Sequence, residues 1–279
     1  MARKRILITV KTYPTLSKKY GELVCTAGLD EDGHWIRIYP VPFRDLDDYR
    51  KFEKYRFIEA DIKRNQKDSR PESHKIRTDS IELKERLGTE NSWEARRRWV
   101  LDRHPAHHQL KPLIHAANKE NRLSLATFKP TKINDLSFEK VTAEWSPDKL
   151  SAIRSESMQG YLFDEFVPRK VEQLVRKLPY KFRYHFEDSD GTRSSPMIED
   201  WEIGALFWNC LKSSATESQA VDKVRQKYFD AFLKTDLHLF LGTTREWHGR
   251  GKNPFVIIGV FTPPKRTHRQ LGLFPDQSV

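Results

Sequence analysis

Residues 22–39 read ELVCTAGLDEDGHWIRIY, and this stretch predicts a β-hairpin. Two runs that alternate apolar and other residues flank Asp30–Gly33, whose last two residues, Asp32-Gly33, are a strong hairpin-turn signal. Arg5–Thr12 has the alternation of a preceding strand, and Arg56–Lys63 of a following one. Short strands, tight turns and many aromatic residues predict a small, strongly curved sheet or barrel.

The second half of the chain is expected to mix helices and strands. We expect helices over 198–212 and 214–233, and strands over 180–187, 237–242 and 254–261. Strands and helices are segregated along the chain rather than alternating. The sequence therefore predicts an α+β fold, with a curved N-terminal β-sheet or small barrel plus helices packed on C-terminal strands.

The expected domain organisation has four parts, and no internal repeat is visible in the sequence. Residues 1–125 are expected to form a β-rich basic nucleic-acid-binding region, and 126–165 a connection or flap. Residues 166–264 are expected to form an α+β region, followed by an exposed tail over 265–279.

Charge is the clearest feature of the composition. The chain has 279 residues, a net charge of +11 and a pI near 9.5, and its basic excess lies mostly in the first half and near the C-terminus. Such an excess favours an anionic partner, most often nucleic acid, although it also keeps proteins in solution. No apolar stretch is long enough to cross a bilayer, so no membrane partner is expected. Two cysteines fit a reducing compartment and predict a cytoplasmic protein.

The segment Trp35–Arg44 combines aromatic rings with guanidinium groups. Trp35, Arg37 and Tyr39 share one face of the predicted strand, and Arg44 follows a proline-stiffened turn. An arginine between two aromatic rings suits a surface that binds phosphate and stacks a base. The alternative is a cation–π stack that only covers the sheet.

A second basic cluster is expected on a short helix. Arg96 and Arg97 lie three and four residues after Trp93, so the three side chains share a face that could contact a phosphate backbone. A solvated helix face is the alternative. In the loop before the helix, Arg70 and Glu72 could contact a base edge or pair with each other.

Four residues form a candidate catalytic set. Asp200 and Glu202 lie in the first turn of a predicted helix, where the helix dipole alone would favour acidic residues. Asp236 and His248, near the closing strands, could join them in acid–base or metal-assisted chemistry if all four converge in one cleft. The segment Gly242–Gly249 is rich in hydrogen-bond donors and predicts a phosphate or substrate loop.

No cofactor follows from the sequence, so its identity is unknown. The histidines between His104 and His115 lack the ligand spacing of a zinc site, and we predict no metal site. Cys25 alternates with Leu23 and Ala27 on an apolar strand face, which indicates a buried, inert thiol.

The C-terminal tail contains Gln270, Leu271, Leu273 and Phe274 after two prolines and a basic run. Exposing apolar surface costs about 25 cal/mol per Å², so a partner with a pocket is expected. The pattern Gln-Leu-x-Leu-Phe resembles the short peptide by which bacterial replication and repair proteins dock on the ring-shaped sliding clamp. This resemblance implies the clamp as a partner. The alternative is that Phe274 packs into the core of its own chain.

A second resemblance concerns the body of the chain. Trp35–Arg44, together with Tyr13-Pro14 and the segment 17–20, resembles uncharacterised bacterial proteins of DNA-modification and anti-phage gene clusters. This resemblance implies no catalytic motif.

Three hypotheses about function follow. The first is a bacterial DNA-associated protein, acting in DNA modification, repair or anti-phage defence, that binds nucleic acid through a basic and aromatic surface. In this hypothesis the nucleic acid is expected to be DNA, and the tail docks on the sliding clamp. The second is an enzyme that modifies bases or cleaves the backbone of DNA. The third is an adaptor that binds an acidic protein.

Overall fold

The computed structural model describes residues 1–17, 21–158 and 174–266. Within these ranges, one sheet contains β1 (Ala2–Lys11), β2 (Thr15–Ser17), β3 (Gly21–Asp30), β4 (Trp35–Val41), β5 (Arg56–Arg64), β6 (Ser73–Ile76) and β7 (Glu82–Arg86). The other contains β8 (Leu125–Phe128), β9 (Lys132–Lys140), β10 (Tyr180–Glu187), β11 (Arg193–Ser194), β12 (Met197–Ile198), β13 (His238–Thr243) and β14 (Phe255–Phe261).

Helices occupy the connections between these strands. They are α1 (Glu90–Arg97), α2 (Leu110–Asn118), α3 (Pro147–Met158), α4 (Trp201–Lys212) and α5 (Glu217–Arg225). None of the helices in the described ranges has both the length and the apolar character needed to cross a membrane. The mixture of curved sheets and a few helices confirms the predicted α+β fold.

The first sheet closes into a barrel. Its strands follow the order β1-β3-β4-β6-β5, and β5 pairs again with β1. Neighbouring strands are antiparallel except β4 and β6, which are parallel. Gly28 permits the tight curvature, because a Cβ atom there would lie 2.2 Å from the carbonyl oxygen of Leu7. This strand order and the single parallel pair are those of the oligonucleotide/oligosaccharide-binding (OB) barrel. The predicted hairpin and curved sheet are confirmed.

The second sheet has the same topology in a more open form. Strands β8 and β9 are separated only by residues 129–131, and they pair with β13 and β10 at the two sides of the sheet. If β8 and β9 are counted as one bent first strand, β10, β12, β13 and β14 are the second to fifth strands. The order in the sheet is then again first, second, third, fifth and fourth, and the third and fifth strands, β12 and β14, are parallel. The sheet is thus a curled half-barrel (the second barrel), with α4 and α5 between its third and fourth strands.

One expectation from the sequence differs from the structure, and one feature of the fold has no signal in the sequence. Residues 126–165 are not a simple connection or flap, because they supply β9 and most of β8 to the second sheet. A structural repeat is also present, although the sequence shows none. The first strands of the two repeats differ in composition. Strand β1 is buried and apolar, whereas β9, the second part of the bent strand, is largely exposed and polar.

An apolar cluster joins the two barrels. Val10 and Trp35 of the first barrel pack in this cluster with Phe240, Ile258 and Phe261 of the second. Strand β1 is therefore covered both inside its own barrel and towards the second barrel, which explains its continuous apolar run. This packing also brings residues 65–72 of the first barrel beside residues 244–254 of the second.

Candidate functional site

Two arginines predicted to bind nucleic acid lie between the barrels. The Arg37 side chain is 1% exposed, and it donates to the carbonyl and hydroxyl oxygens of Ser124 at 3.0 and 3.2 Å. Arg70 is buried and donates to the Asp68 carboxylate and, at 2.9 Å, to the carbonyl oxygen of Thr243. Because protein groups hold both guanidinium groups in the interior, their placement does not support the predicted phosphate contacts.

The remaining predicted residues of the first barrel differ in their surroundings. Arg44 donates to both oxygens of the Glu22 carboxylate, at 2.6 and 2.8 Å, so its charge is compensated within the protein. Tyr39 is half-buried, and its side chain lines a cavity between the barrels. Of the two, only Tyr39 is placed to meet a ligand without breaking an ion pair.

The second predicted cluster also faces inward. The Arg96 guanidinium lies 4.1 Å from the ring centre of Tyr55 and 4.8 Å from that of Trp93. Arg97 is buried and donates at 2.8 Å to the carboxylate of Asp236. The chain turns through left-handed backbone angles at Trp93, where φ is +67°, and both arginines pack against the body of the protein. The prediction that this helix face contacts a phosphate backbone is therefore wrong.

Two predicted catalytic residues form an ion cluster with a buried lysine. The Nζ atom of Lys54 donates to Asp200 Oδ1 at 2.9 Å and to Glu202 Oε2 at 3.0 Å. Asp200 is fully buried, whereas the Glu202 side chain is 54% exposed. Burial raises the pKa of Asp200 to about 6, and the Lys54 charge limits this rise. Burial alone would lower the pKa of Lys54, but the two carboxylates outweigh it and raise that pKa.

A cavity of about 460 Å³ opens beside this cluster, and Lys11 lies in its wall. Trp93, Trp201 and Phe232 contribute aromatic surface to the same cavity. Burial, assisted by the nearby charge of Lys54, lowers the pKa of Lys11 to about 8. A lysine with such a pKa is partly a neutral amine near pH 7.5, and a neutral amine can act as a base or nucleophile.

The other two predicted catalytic residues do not join this cluster. Asp236 accepts hydrogen bonds from Arg97 and Lys129 before β13. His248 lies after the opposite end of β13, where its Nε2 atom is 2.8 Å from Asn121 Oδ1. Within the described ranges, no hydrogen bond or ion pair links either residue to Asp200 or Glu202. The predicted four-residue catalytic cleft is therefore wrong.

A groove of about 470 Å³ lies on the second barrel. Arg183 of β10, residues 194–197 of β11 and β12, and residues of the 244–254 loop form its walls. Trp247 lines this groove, and 52% of its surface is exposed. The predicted donor-rich loop, Gly242–Gly249, supplies Thr244 and Trp247, whereas Arg183 had no signal in the sequence beyond its place on an alternating strand.

A smaller cavity of about 190 Å³ lies between the two barrels. Arg37, Tyr39 and Arg70 line it from the first barrel. Glu199 and Thr244 line both this cavity and the groove, so the two spaces adjoin. Burial raises the pKa of Glu199, and the positive charge of Arg37 opposes this rise.

One group of side chains has a spacing that could hold a cation. Ligand atoms of Asp30, Asp32 and His34, in the β3–β4 turn, lie within 4.8 Å of one another. The Asp30 Oδ1 atom already accepts hydrogen bonds from the backbone N–H groups of Asp32 and His34. This arrangement shapes the hairpin turn and gives no independent indication of a metal.

The predicted clamp-binding residues lie outside the described residues. They are Gln270, Leu271, Leu273 and Phe274.

These features define a protein with two OB-type barrels packed together and a loop-lined groove on the second. The chain belongs to the family described as a domain of unknown function, DUF8757, which matches residues 106–278. Another domain of unknown function, DUF8758, matches residues 2–102, and the gap between the two matches falls between the two barrels. No curated protein matches the chain.

Proposed function

We propose that this protein binds single-stranded nucleic acid, with DNA as the expected ligand, in the groove of the second barrel. The observation that supports the proposal most directly is the exposed Trp247. It lies in the loop between the fourth and fifth strands (β13 and β14), beside the second and third strands (β10 and β12). OB barrels bind oligonucleotides on this face and with this loop. An exposed indole offers a base-stacking surface, and only an unpaired base presents its face for such stacking.

The charges around the groove support an anionic ligand. Arg183 lies in its wall, and the adjoining loop carries exposed Arg245, Arg250 and Lys252. Glu246 belongs to the same loop and Glu199 lies in the groove wall, so the four basic residues outnumber the two acidic ones. Backbone phosphates would meet these cations while a base stacks on Trp247, which predicts binding with little sequence preference and strong salt dependence.

Fluorescence anisotropy with labelled oligonucleotides tests the proposal. The wild-type chain should bind an oligothymidylate of about 15 nucleotides, close to the largest site of a single OB barrel. Trp247→Ala should weaken binding about 5- to 150-fold, since one stacked base contributes about 1–3 kcal/mol. Tyr49→Ala is the matched control, because Tyr49 is an aromatic residue that is 67% exposed and lies away from the groove. Equal losses in both variants would reject the groove as the binding site.

Salt provides a separate test of the phosphate contacts. Each phosphate contact released from a single strand lowers log K by about 0.7 per tenfold rise in salt. We expect affinity to fall steeply between about 50 and 200 mM salt, and Arg250→Gln to reduce the slope. Affinity that does not change over this range would contradict the electrostatic part of the proposal.

We further propose that the tail brings the protein to DNA by docking on a bacterial sliding clamp, in a setting of DNA modification, repair or anti-phage defence. A cytoplasmic location belongs to the same proposal and agrees with the free Cys25 and Cys210. Removing the chain from Gln270 onward should abolish clamp binding in a biosensor assay and leave oligonucleotide affinity unchanged. Clamp binding by the truncated chain would refute this part.

Catalysis on DNA is a second candidate function, and the observation that favours it is Lys11 beside the buried Lys54–Asp200 pair. An amine of lowered pKa could attack an electrophilic carbon, such as the aldehyde of an abasic site, with loss of water. Borohydride should then trap a covalent complex with the wild-type chain but not with Lys11→Met. Trapping that survives this substitution would exclude Lys11, and no trapping with the wild-type chain would reject this candidate.

A further inference from the structure

The cavity between the barrels has the position of a side chamber to the groove. Glu199, Thr244 and Val256 line both spaces. A strand that lies in the groove and stacks on Trp247 would therefore pass the mouth of the chamber.

The size and walls of the chamber fit one heterocyclic ring system. Its volume is about 190 Å³, below the range of about 300–1,000 Å³ that is typical of sites for drug-sized ligands. A cavity of about 150 Å³ is enough to hold one benzene ring. Val256 and Ile258 provide aliphatic wall, and Tyr39 provides an aromatic ring.

The polar groups of the chamber differ in how many hydrogen-bond partners they have. Arg37 lines the chamber with 1% of its surface exposed, and its terminal nitrogens donate to Ser124 and to the Sγ atom of Cys25. Among the described residues it has no carboxylate within 4.0 Å, and its Nε atom has no hydrogen-bond partner. A buried cation without an anionic partner is costly, so an occupant that presents acceptors near Arg37 would offset part of that cost. Glu199 adds a carboxyl group that can accept hydrogen bonds and would repel a phosphate. The chamber thus offers a cation and an acceptor to the same occupant.

We propose that this chamber receives one nucleobase from the bound strand and prefers guanine. Guanine presents the O6 and N7 acceptors that arginine recognises, and its N1–H and N2–H groups can donate to Glu199. Extruding a base from a single strand costs less than from a duplex, so the chamber suits a single-stranded ligand. This inference rests on the proposed function and adds a base preference to it.

Affinity measurements give the first test. The probes are an oligothymidylate of about 15 nucleotides and the same oligonucleotide with one central guanine. The wild-type chain should bind the guanine-containing probe about tenfold more tightly. Glu199→Gln should lower the ratio of the two affinities, because the N1–H and N2–H groups of guanine then lose a charged acceptor. Glu139→Gln, an exposed substitution on β9, is the matched control and should keep the ratio.

The outcomes separate this inference from the proposed function. Binding of the oligothymidylate without a guanine preference overturns the chamber and leaves the groove intact. Failure to bind either probe rejects the proposed function itself. A preference that survives Glu199→Gln unchanged also overturns the chamber as the source of specificity.

Cys25 is half-buried in the chamber wall, not fully buried as the sequence predicts, so alkylation of its thiol can report on occupancy. Iodoacetamide labelling followed by peptide mapping should show Cys25 protected by the guanine-containing probe, and less by the oligothymidylate. Cys210, on α4 outside the chamber, is the internal control and should react at the same rate with either probe. Protection by inorganic phosphate alone would identify an anion site and overturn the nucleobase proposal.

Discussion

Replacing Lys54 by methionine removes the cation of the buried ion cluster while it keeps most of the side-chain volume. Asp200 would then remain fully buried without a positive partner, keeping the backbone N–H of Glu202 at 3.3 Å and the Tyr228 hydroxyl at 3.5 Å. Breaking a buried pair from one side costs about 3–5 kcal/mol. We expect Lys54→Met to lower the free energy of unfolding by this amount at about pH 8.

The reverse substitution should be milder. In Asp200→Asn, Lys54 keeps the Glu202 carboxylate at 3.0 Å, which the solvent also reaches. One lost charged hydrogen bond costs about 1.5–3 kcal/mol, so Asp200→Asn should destabilise less than Lys54→Met. The double variant leaves no buried unpaired charge, and its unfolding free energy should exceed that of Lys54→Met alone.

The cost of Lys54→Met should also depend on pH. Burial already raises the pKa of Asp200 to about 6 when Lys54 is present, and losing Lys54 raises it further. An acid whose pKa is raised on folding stabilises the protein at low pH, and this stabilisation is lost as pH rises through the folded-state pKa. The penalty should therefore be smaller at about pH 5 than at about pH 8.

Urea unfolding measures these differences, with tryptophan fluorescence and far-UV circular dichroism as two probes of the same transition. A cost of less than about 1 kcal/mol for Lys54→Met would contradict a stabilising buried pair, and so would a larger cost for Asp200→Asn than for Lys54→Met. A penalty that grows towards low pH would contradict the assigned direction of the Asp200 pKa shift.

Two other predictions concern single residues. Burial lowers the pKa of His238 to about 4. Its contribution to stability is therefore complete above about pH 6.5 and is lost as pH falls towards 4. Relative to His238→Gln, the wild type should lose about 3 kcal/mol of unfolding free energy between about pH 7.5 and pH 4 in urea titrations. An equal pH dependence in both proteins would contradict this shift. In α4, a Cβ at Gly204 would lie 2.3 Å from the Tyr13 ring, so Gly204→Ala should lower the unfolding free energy by about 1–3 kcal/mol despite the better helix propensity of alanine. A rise in the thermal midpoint would show that Tyr13 moves aside.

The elements that sequence reasoning predicted best are those with a strong local pattern. The turn at Asp32-Gly33 combines a turn dipeptide with alternating flanks, and the hairpin forms there with Gly33 at a φ of +82°. The strand expected over 180–187 coincides with β10, whose alternate side chains are buried. Both depend on interactions between near neighbours in the chain.

Two of the strands that the sequence did not predict are stabilised by their neighbours in the sheet. Strands β7 and β9 are polar, and most of their side chains are exposed or only partly buried. Their backbone groups nevertheless pair with β5 and β10. A strand with one exposed face and little apolar alternation carries no period-two signal, so its pairing is visible only in the folded sheet.

The candidate site was also predictable from the sequence only in part. The sequence indicated an anionic ligand through its charge and pointed to the donor-rich loop that carries Trp247. It could not show which arginines are exposed. Arg37 is held by Ser124, 87 positions away, and Arg70 by Thr243, 173 positions away. Arg70 also pairs with Asp68, two positions away, but the contacts that enclose both arginines come from such distant residues.

Composition and local periodicity thus encode the sign of the charge, the hairpin, several strands and helices, and the α+β class. The folded structure alone shows that two barrels of one topology pack together and bury the arginine face of the first. Their packing leaves the groove on the second barrel and the chamber beside it. Those spaces arise where loops far apart in sequence meet, and no local pattern encodes that meeting.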